Sequence, residues 1–278
     1  MELTRFGIFT MVRTLGAEKY GEAAALAEEL GFGAIWLGGS PRLTDLRPML
    51  AATSRIVVAS GIANVWQYEP AELTAEYQQL EAEFPGRTLV GIGIGHPERT
   101  AEYVKPLTKM REFLDGLDHA EHPIPKNRMI LAALGPKMVE LGGERTLGAH
   151  PYFSPVEHTR FAREHLEAEA ILAPEQALVI DDDPERARTA ARDYASFYLE
   201  LANYTANLQR MGWGEADIAE AGSDRLLDAI VPQGSAEDAA EVVQRQLDAG
   251  ADHVCVQTVG VSGVPVNQWT ALARALGL

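Results

Sequence analysis

Cysteine is almost absent from this chain, with Cys255 alone among 278 residues. With no second thiol an intramolecular disulfide is excluded, and a reducing cytoplasm is the compartment that fits. Positive charge is also scarce. Lys and Arg number 24 against 40 Asp and Glu, for a formal net charge of -16 and a pI near 4.9. A surface of that sign repels nucleic acid phosphates and anionic membranes. Long apolar runs are missing as well. None approaches the roughly 20 residues of a membrane span, and Met1-Glu2-Leu3-Thr4-Arg5-Phe6 lacks the basic and apolar regions of a secretory leader. A small-molecule substrate is therefore the expected partner, with no nucleic acid and no membrane. There is no Walker loop, no Ser/His/Asp nucleophile motif and no Rossmann fingerprint. Gly91, Gly93 and Gly95 alternate and do not match G-x-G-x-x-G.

Hydrophobic residues make up 46% of the chain, ample for a large core. An α/β barrel typically takes about 250 residues, so one domain over 1–278 is expected. Eight strand-like runs stand out: Phe6–Phe9, Ala34–Leu37, Arg55–Ala59, Leu89–Ile94, Met129–Ala133, Ala149–Phe153, Ala177–Ile180 and His253–Val259. Helical patterns separate most of them, such as the alanine, leucine and glutamate run from Ala17 to Leu30 that stops at Gly31. Eight strands alternating with helices predict a (β/α)8 TIM barrel. The stretch from Ile180 to His253 is longer than one crossover needs. It predicts an inserted helical segment after strand seven.

A barrel carries its chemistry in the loops after its strands. Gly93-Ile94-Gly95-His96-Pro97 ends strand four in glycines and then presents a histidine, which resembles the rim of a cofactor pocket. His96 is the candidate for proton transfer, because imidazole donates or accepts near neutral pH; a loop histidine bonded to backbone is the plainer alternative. Leu134-Gly135-Pro136-Lys137 and Ser154-Pro155-Val156-Glu157-His158 each follow a strand and open a helix. Free N–H groups there suit a phosphate, and ordinary capping explains each loop taken alone. His150 and Tyr152 share one side of their strand. His119 and His122 have a ligand-like spacing with no further cysteine or histidine cluster, so no metal site is expected. Asp181-Asp182-Asp183-Pro184-Glu185 reads as a helix cap rather than a magnesium site.

Read in order, Ala59-Ser60-Gly61-Ile62-Ala63-Asn64, Tyr68-Glu69-Pro70-Ala71-Glu72-Leu73, Phe84-Pro85-Gly86-Arg87 and Val90-Gly91-Ile92-Gly93-Ile94-Gly95 resemble the bacterial luciferase-like family. The nearest likeness is to its branch dependent on the deazaflavin coenzyme F420. Ala132-Ala133-Leu134-Gly135-Pro136-Lys137-Met138, Leu172-Ala173-Pro174-Glu175-Gln176 and Asp248-Ala249-Gly250-Ala251-Asp252-His253-Val254 extend it along nearly the whole chain. The resemblance implies a barrel, usually a homodimer, holding a flavin or deazaflavin at the C-terminal rim. It implies a non-prolyl cis peptide at Gly61-Ile62 behind the ring, Asn64 near the ring, and Leu134, Gly135, Pro136 and Ser154 around the tail phosphate.

One departure limits what carries over. Where related sugar-phosphate dehydrogenases have an Asp-His pair after strand two, this chain has Gly39-Ser40, and where they carry a glutamate it has His96. Sugar-phosphate oxidation is therefore not implied. The expectation is a cytoplasmic F420-dependent oxidoreductase with His96 as acid or base and Ser40 as a secondary polar contact to the cofactor. An FMN-dependent monooxygenase and a non-catalytic flavin-binding protein are its rivals.

Overall fold

The computed structural model describes residues 3–99 and 105–278. Strand β1 (Phe6–Met11) leads through the single turn of α1 (Val12–Leu15) into α2 (Tyr20–Glu29), and β2 (Ala34–Gly38) is followed by α3 (Arg47–Ala51). β3 (Val57–Gly61) and the short β4 (Ala63–Asn64) precede α4 (Pro70–Glu83), and β5 (Thr88–Gly93) precedes α5 (Pro106–Asp118). Then come β6 (Met129–Ala132), α6 (Pro136–Arg145), β7 (Gly148–His150), α7 (Val156–His165), β8 (Ile171–Leu172) and β9 (Glu175–Ile180). Helices α8 (Pro184–Leu199), α9 (Ala202–Arg210), α10 (Glu215–Ile218) and α11 (Asp224–Ile230) follow. β10 (Gln233–Gly234), α12 (Ala236–Asp248), β11 (Val254–Thr258) and α13 (Val266–Leu276) complete the chain. Proline stands in the first turn of α4, α5, α6 and α8, where its missing N–H removes no helical bond.

All strand pairs are parallel, in the order β10-β9-β11-β1-β2-β3-β5-β6-β7-β8, with β4 also on β5. β8 pairs with β7, and β9, two residues further on, pairs with β11. The N–H groups of Ala173 and Glu175 donate to the carbonyls of Ala149 and Pro151. One segment is thus bonded to both flanks, and the sheet curls around an interior.

Side chains alternate between two cores, as the strand period of two requires. Ile8, Ile35, Leu37, Val58, Val90, Leu131 and Val256 face the surrounding helices. Phe9, Trp36, Ala59, Leu89, Ile130, Ala173 and Cys255 fill the inside of the curl. Burying each large side chain stabilises the fold by about 1.5–3 kcal/mol before entropy is counted. His150 turns inward with Tyr152. Its ring stacks on Trp36 at 4.4 Å, and its Nδ1–H donates to the Ala173 carbonyl at 2.7 Å.

Each expected strand is present, with shifted ends. β3 begins at Val57 rather than Arg55, because the Glu28 carboxylate accepts the N–H groups of Ser54, Arg55 and Ile56. β7 stops at His150, and Phe153 adopts a left-handed φ of 51° that ends the extended run. β9 starts two residues early, at Glu175. No helix of the described residues is long and apolar enough to cross a membrane.

Candidate active site at the strand C-terminal rim

The rim has two unlike halves. Over β2 to β6 the last inward positions are Gly38, Gly61, Gly93 and Ala132. A Cβ at Gly38 or Gly61 would lie 2.4 or 2.6 Å from the Phe9 ring, and one at Gly93 would lie 2.6 Å from Ile62. The glycines therefore let Phe9 and Ile62 lie against the strand ends as a low apolar floor. Ile62 stays half-buried, and the Gly61-Ile62 peptide is cis. Ser40, half-buried after Gly39, has a left-handed φ of 56°.

At the edge of this floor β4 ends in Asn64, whose Oδ1 accepts the Trp66 N–H at 3.0 Å. Its amide packs so closely on Gly95, where φ is 65°, that a Cβ there would lie 2.8 Å from Nδ2. His96 follows. Its Nδ1 is 2.8 Å from Asn203 Oδ1, and its ring lies 5.2 Å from that of Tyr204. A carboxamide oxygen can only accept, so Nδ1 carries the proton and donates it to Asn203. Glu98 in the same loop accepts the Ala202 N–H at 2.9 Å, fastening the loop to the start of α9.

Beyond β6 and β7 is a polar cradle. The Leu134 carbonyl accepts Nε2–H of His158 at 2.9 Å, and burial holds that imidazole neutral by lowering its pKa to about 4. Helices α6 and α7 start at Gly135-Pro136 and Pro155-Val156 without a side-chain cap. Ser154 does not cap α7. Its hydroxyl is buried and has no hydrogen-bond partner among the described residues, and the same is true of Asn207 Nδ2. Lys137 points to solvent. The cation at this spot is Arg210, whose Nη2 would lie 4.0 Å from a Cβ built on Gly135.

The other half of the rim is filled. Tyr152 donates its hydroxyl proton to Gln257 Oε1 at 2.9 Å and accepts from Tyr194 at 2.9 Å and Tyr198 at 2.8 Å. Phe153 stacks on Tyr198 at 4.9 Å, and Tyr204 meets both edge-on at 5.4 and 5.5 Å. Beneath them Glu175 is 1% exposed. One carboxyl oxygen accepts the Phe153 N–H at 3.2 Å and the other has no partner among the described residues. Burial pushes its pKa up to about 8, against that single hydrogen bond. A cleft of about 740 Å³ opens on this side, lined by Thr14, Asp183, Thr189, Tyr194 and Val259 among others, away from His96.

The remaining candidates are structural. Asp183 caps α8 by accepting the N–H groups of Glu185 and Arg186, and Asp181 pairs with Arg186. His119 donates to the Asp115 carbonyl. No group of three or more metal-binding side chains occurs among the described residues. The expected residues thus gather on one half of the rim, with Ser40, Gly61, Ile62, Asn64 and His96 along the floor and Leu134, Gly135, Pro136 and Ser154 at the cradle. Sequence reasoning missed Glu175, Asn207, Arg210 and the joining of Tyr152 to Tyr194 and Tyr198. A charge inside an otherwise apolar strand was the available signal for Glu175.

A model of luciferase-like monooxygenases matches residues 4–253. No curated protein matches the chain in sequence. Among solved structures it is similar to an F420-dependent secondary alcohol dehydrogenase in complex with an F420-acetone adduct, at 16% identity over 99% of both chains and a TM-score of 0.77. It is similar to the F420-dependent tetrahydromethanopterin reductase from Methanopyrus kandleri, at 17% identity, 99% of both chains and 0.74. The oxygenating constituent of 3,6-diketocamphane monooxygenase from Pseudomonas putida, in complex with FMN, matches at 14% identity over 98% of this chain and 96% of that one, with 0.71. Likeness at these identities concerns the fold.

Proposed function

The chain belongs to the luciferase-like monooxygenase family, and from that premise we propose that it is an oxidoreductase passing a hydride between coenzyme F420 and a small organic substrate. The observation that carries the reading is the buried, unpartnered Ser154 hydroxyl between two uncapped helix starts, on the same rim as His96. A buried hydroxyl left without a partner is destabilising by about 1–3 kcal/mol, and a bound phosphate oxygen would satisfy it. In this reading the curled sheet is a (β/α)8 barrel, α8 to α11 form an inserted layer after its seventh strand, and the working protein is a cytoplasmic homodimer.

The residues present fit a tricyclic ring with a phosphate-bearing tail. Phe9 and Ile62 offer an apolar support for one ring face, with the Gly61-Ile62 peptide behind it and Asn64 and Ser40 at its polar edge. Leu134, Gly135, Pro136 and Ser154 receive the phosphate. When bound, the deazaflavin supplies the hydride-accepting or hydride-donating carbon. His96 holds a proton on Nδ1 through Asn203 and exchanges another at Nε2 with the substrate oxygen. The filled half of the rim keeps water from one side.

FMN is the second reading, favoured by the fold shared with the FMN-bound monooxygenase. Fluorescence titration of the purified protein with oxidised F420 and, separately, FMN decides between them. Saturable binding of F420 with FMN at least tenfold weaker is expected. Preference for FMN would move the chemistry to oxygen activation, and binding of neither would end both readings. Binding without turnover across a substrate panel would leave a flavin-binding protein.

A further inference from the structure

Helix α9 enters the rim from outside the barrel and brings a polar stripe with it. Asn203, Asn207 and Arg210 stand at i, i+4 and i+7, which places them on one helix face. Asn203 is at the His96 end. Seven residues of helix cover about 10 Å, comparable with the reach of a polyol tail between a flavin ring and its phosphate.

The far end of the stripe is unsatisfied. Arg210 donates to Asn207 Oδ1 at 2.9 Å, which orients that carboxamide and leaves its NH2 group to bond outward. Asn207 is 1% exposed and its Nδ2 has no partner among the described residues. Ser154, 2% exposed, is in the same condition. Arg210 forms no salt bridge among the described residues, in a chain with 40 acidic residues. Its guanidinium stands over Gly135, the N-cap residue of α6, which has no side-chain cap. An unpartnered amide, an unpartnered hydroxyl and a guanidinium without a carboxylate are all donors waiting for one acceptor-rich group. A neutral carbonyl would satisfy one of them, whereas a phosphate has oxygens for all three.

We propose that α9 completes the cradle, with Asn207 and Arg210 joining Ser154 to bind the tail phosphate of the flavin or deazaflavin. The assignment rests on the cofactor reading above and adds residues from the helical layer to a site otherwise built by barrel loops. Helix α9 then reads both ends of the ligand, the proton-transfer end through Asn203 and the anionic end through Arg210.

The test compares wild type with Arg210→Ala, Arg210→Lys and Asn207→Asp, titrating four ligands by fluorescence: F420, its phosphate-free deazaflavin chromophore, FMN and riboflavin. Arg210→Ala should weaken the phosphate-bearing ligand by about tenfold or more and leave its phosphate-free counterpart unchanged, because only the former loses a charge-assisted hydrogen bond. Arg210→Lys should recover part of the loss, and Asn207→Asp should reproduce it by placing a like charge beside the phosphate. Equal losses for the ligands with and without phosphate, or no loss, would overturn the proposal. If wild type binds no ring ligand, the cofactor reading fails, and inorganic phosphate decides the cradle on its own. A thermal shift of wild type by millimolar phosphate that Arg210→Ala lacks keeps the cradle; equal responses remove it.

Discussion

The two halves of the rim are built from opposite choices at equivalent strand ends. Over β2 to β6 the last inward residues are glycine or alanine and two apolar side chains lie low, leaving Ile62, Asn64, Ile94 and His96 half-exposed. Over β7 and β11 the same level holds Tyr152 and Gln257, α8 lowers Tyr194 and Tyr198 onto them, and Glu175 lies beneath at the first residue of β9. Both halves close the same interior of the curled sheet. The difference is where the hydrogen bonds end. In the filled half one tyrosine hydroxyl makes three bonds within the protein, whereas the cradle beside the low half ends in donors, the Ser154 hydroxyl and Asn207 Nδ2, with no partner among the described residues. A strand end that finishes in glycine gives up packing and gains room for a ligand.

Hollowing the filled half should produce the largest effect, and on stability alone. Tyr198 is 4% exposed, bonds Tyr152 and packs on Phe153, Tyr194 and Tyr204. Tyr198→Ala should cost about 4 kcal/mol in urea unfolding, with cofactor affinity nearly unchanged for the protein that remains folded. A loss below about 1 kcal/mol would mean that the aromatic layer is not the support described.

Glu175 tests the same half through pH. Its folded pKa of about 8 exceeds the ordinary 4.5, so the folded state holds the extra proton between those values and stability falls as pH rises through that window. The buried His150, His158 and His253 act in the opposite sense. Each is lowered from 6.5 to about 4 by burial, so the unfolded chain binds more protons there and stability falls as pH drops from 6.5 towards 4. Stability should therefore peak near pH 6 to 7. Glu175→Gln keeps an acceptor for the Phe153 N–H and should raise unfolding free energy by about 3 kcal/mol at pH 7 and by almost nothing at pH 4. A gain independent of pH would place the carboxyl in contact with water.

Filling the low half should spare stability and remove function. Gly93→Ala sets a Cβ 2.6 Å from Ile62, which is half-exposed and can swing off the floor into the space above it, and 3.2 Å from the Ala132 Cβ, a contact that a few tenths of an ångström relieve. Cofactor affinity should drop by about a hundredfold while urea unfolding changes little, the reverse of the Tyr198 result. Unchanged affinity would show that the ring rests elsewhere.

How much of this was legible in the chain follows from the same division. The strands could be read from apolar runs ending in glycine, and the low half with them, because Gly61-Ile62, Gly93 and His96 stand next to strand ends in sequence. The filled half could not. Tyr194 and Tyr198 at i, i+4 in a helix read as an ordinary apolar face, and nothing local indicates that their hydroxyls meet Tyr152 some 42 and 46 residues away. Asn203, Asn207 and Arg210 read as a solvent-facing stripe, since only tertiary packing turns α9 inward. Ser154 before Pro155 reads as a helix cap, but Pro155 takes the cap position and leaves the serine hydroxyl unspent.

The seam between the halves is the bond from His96 to Asn203, and it sets the smallest and most diagnostic effect. Asn203→Leu removes the acceptor for Nδ1–H while keeping bulk beside the ring, so the imidazole loses its preferred tautomer. A fall of about tenfold in kcat is expected, with KM for the organic substrate nearly unchanged. Asn203→Asp restores the acceptor and adds a negative charge, which favours the imidazolium and should move the histidine-dependent limb of the pH–rate profile upward. A residue that merely held the loop in place would lower activity in both variants without moving that limb. His96→Ala should abolish the limb altogether, and if it persists there, proton transfer belongs to another group and the seam is only a strut between the loop after β5 and α9.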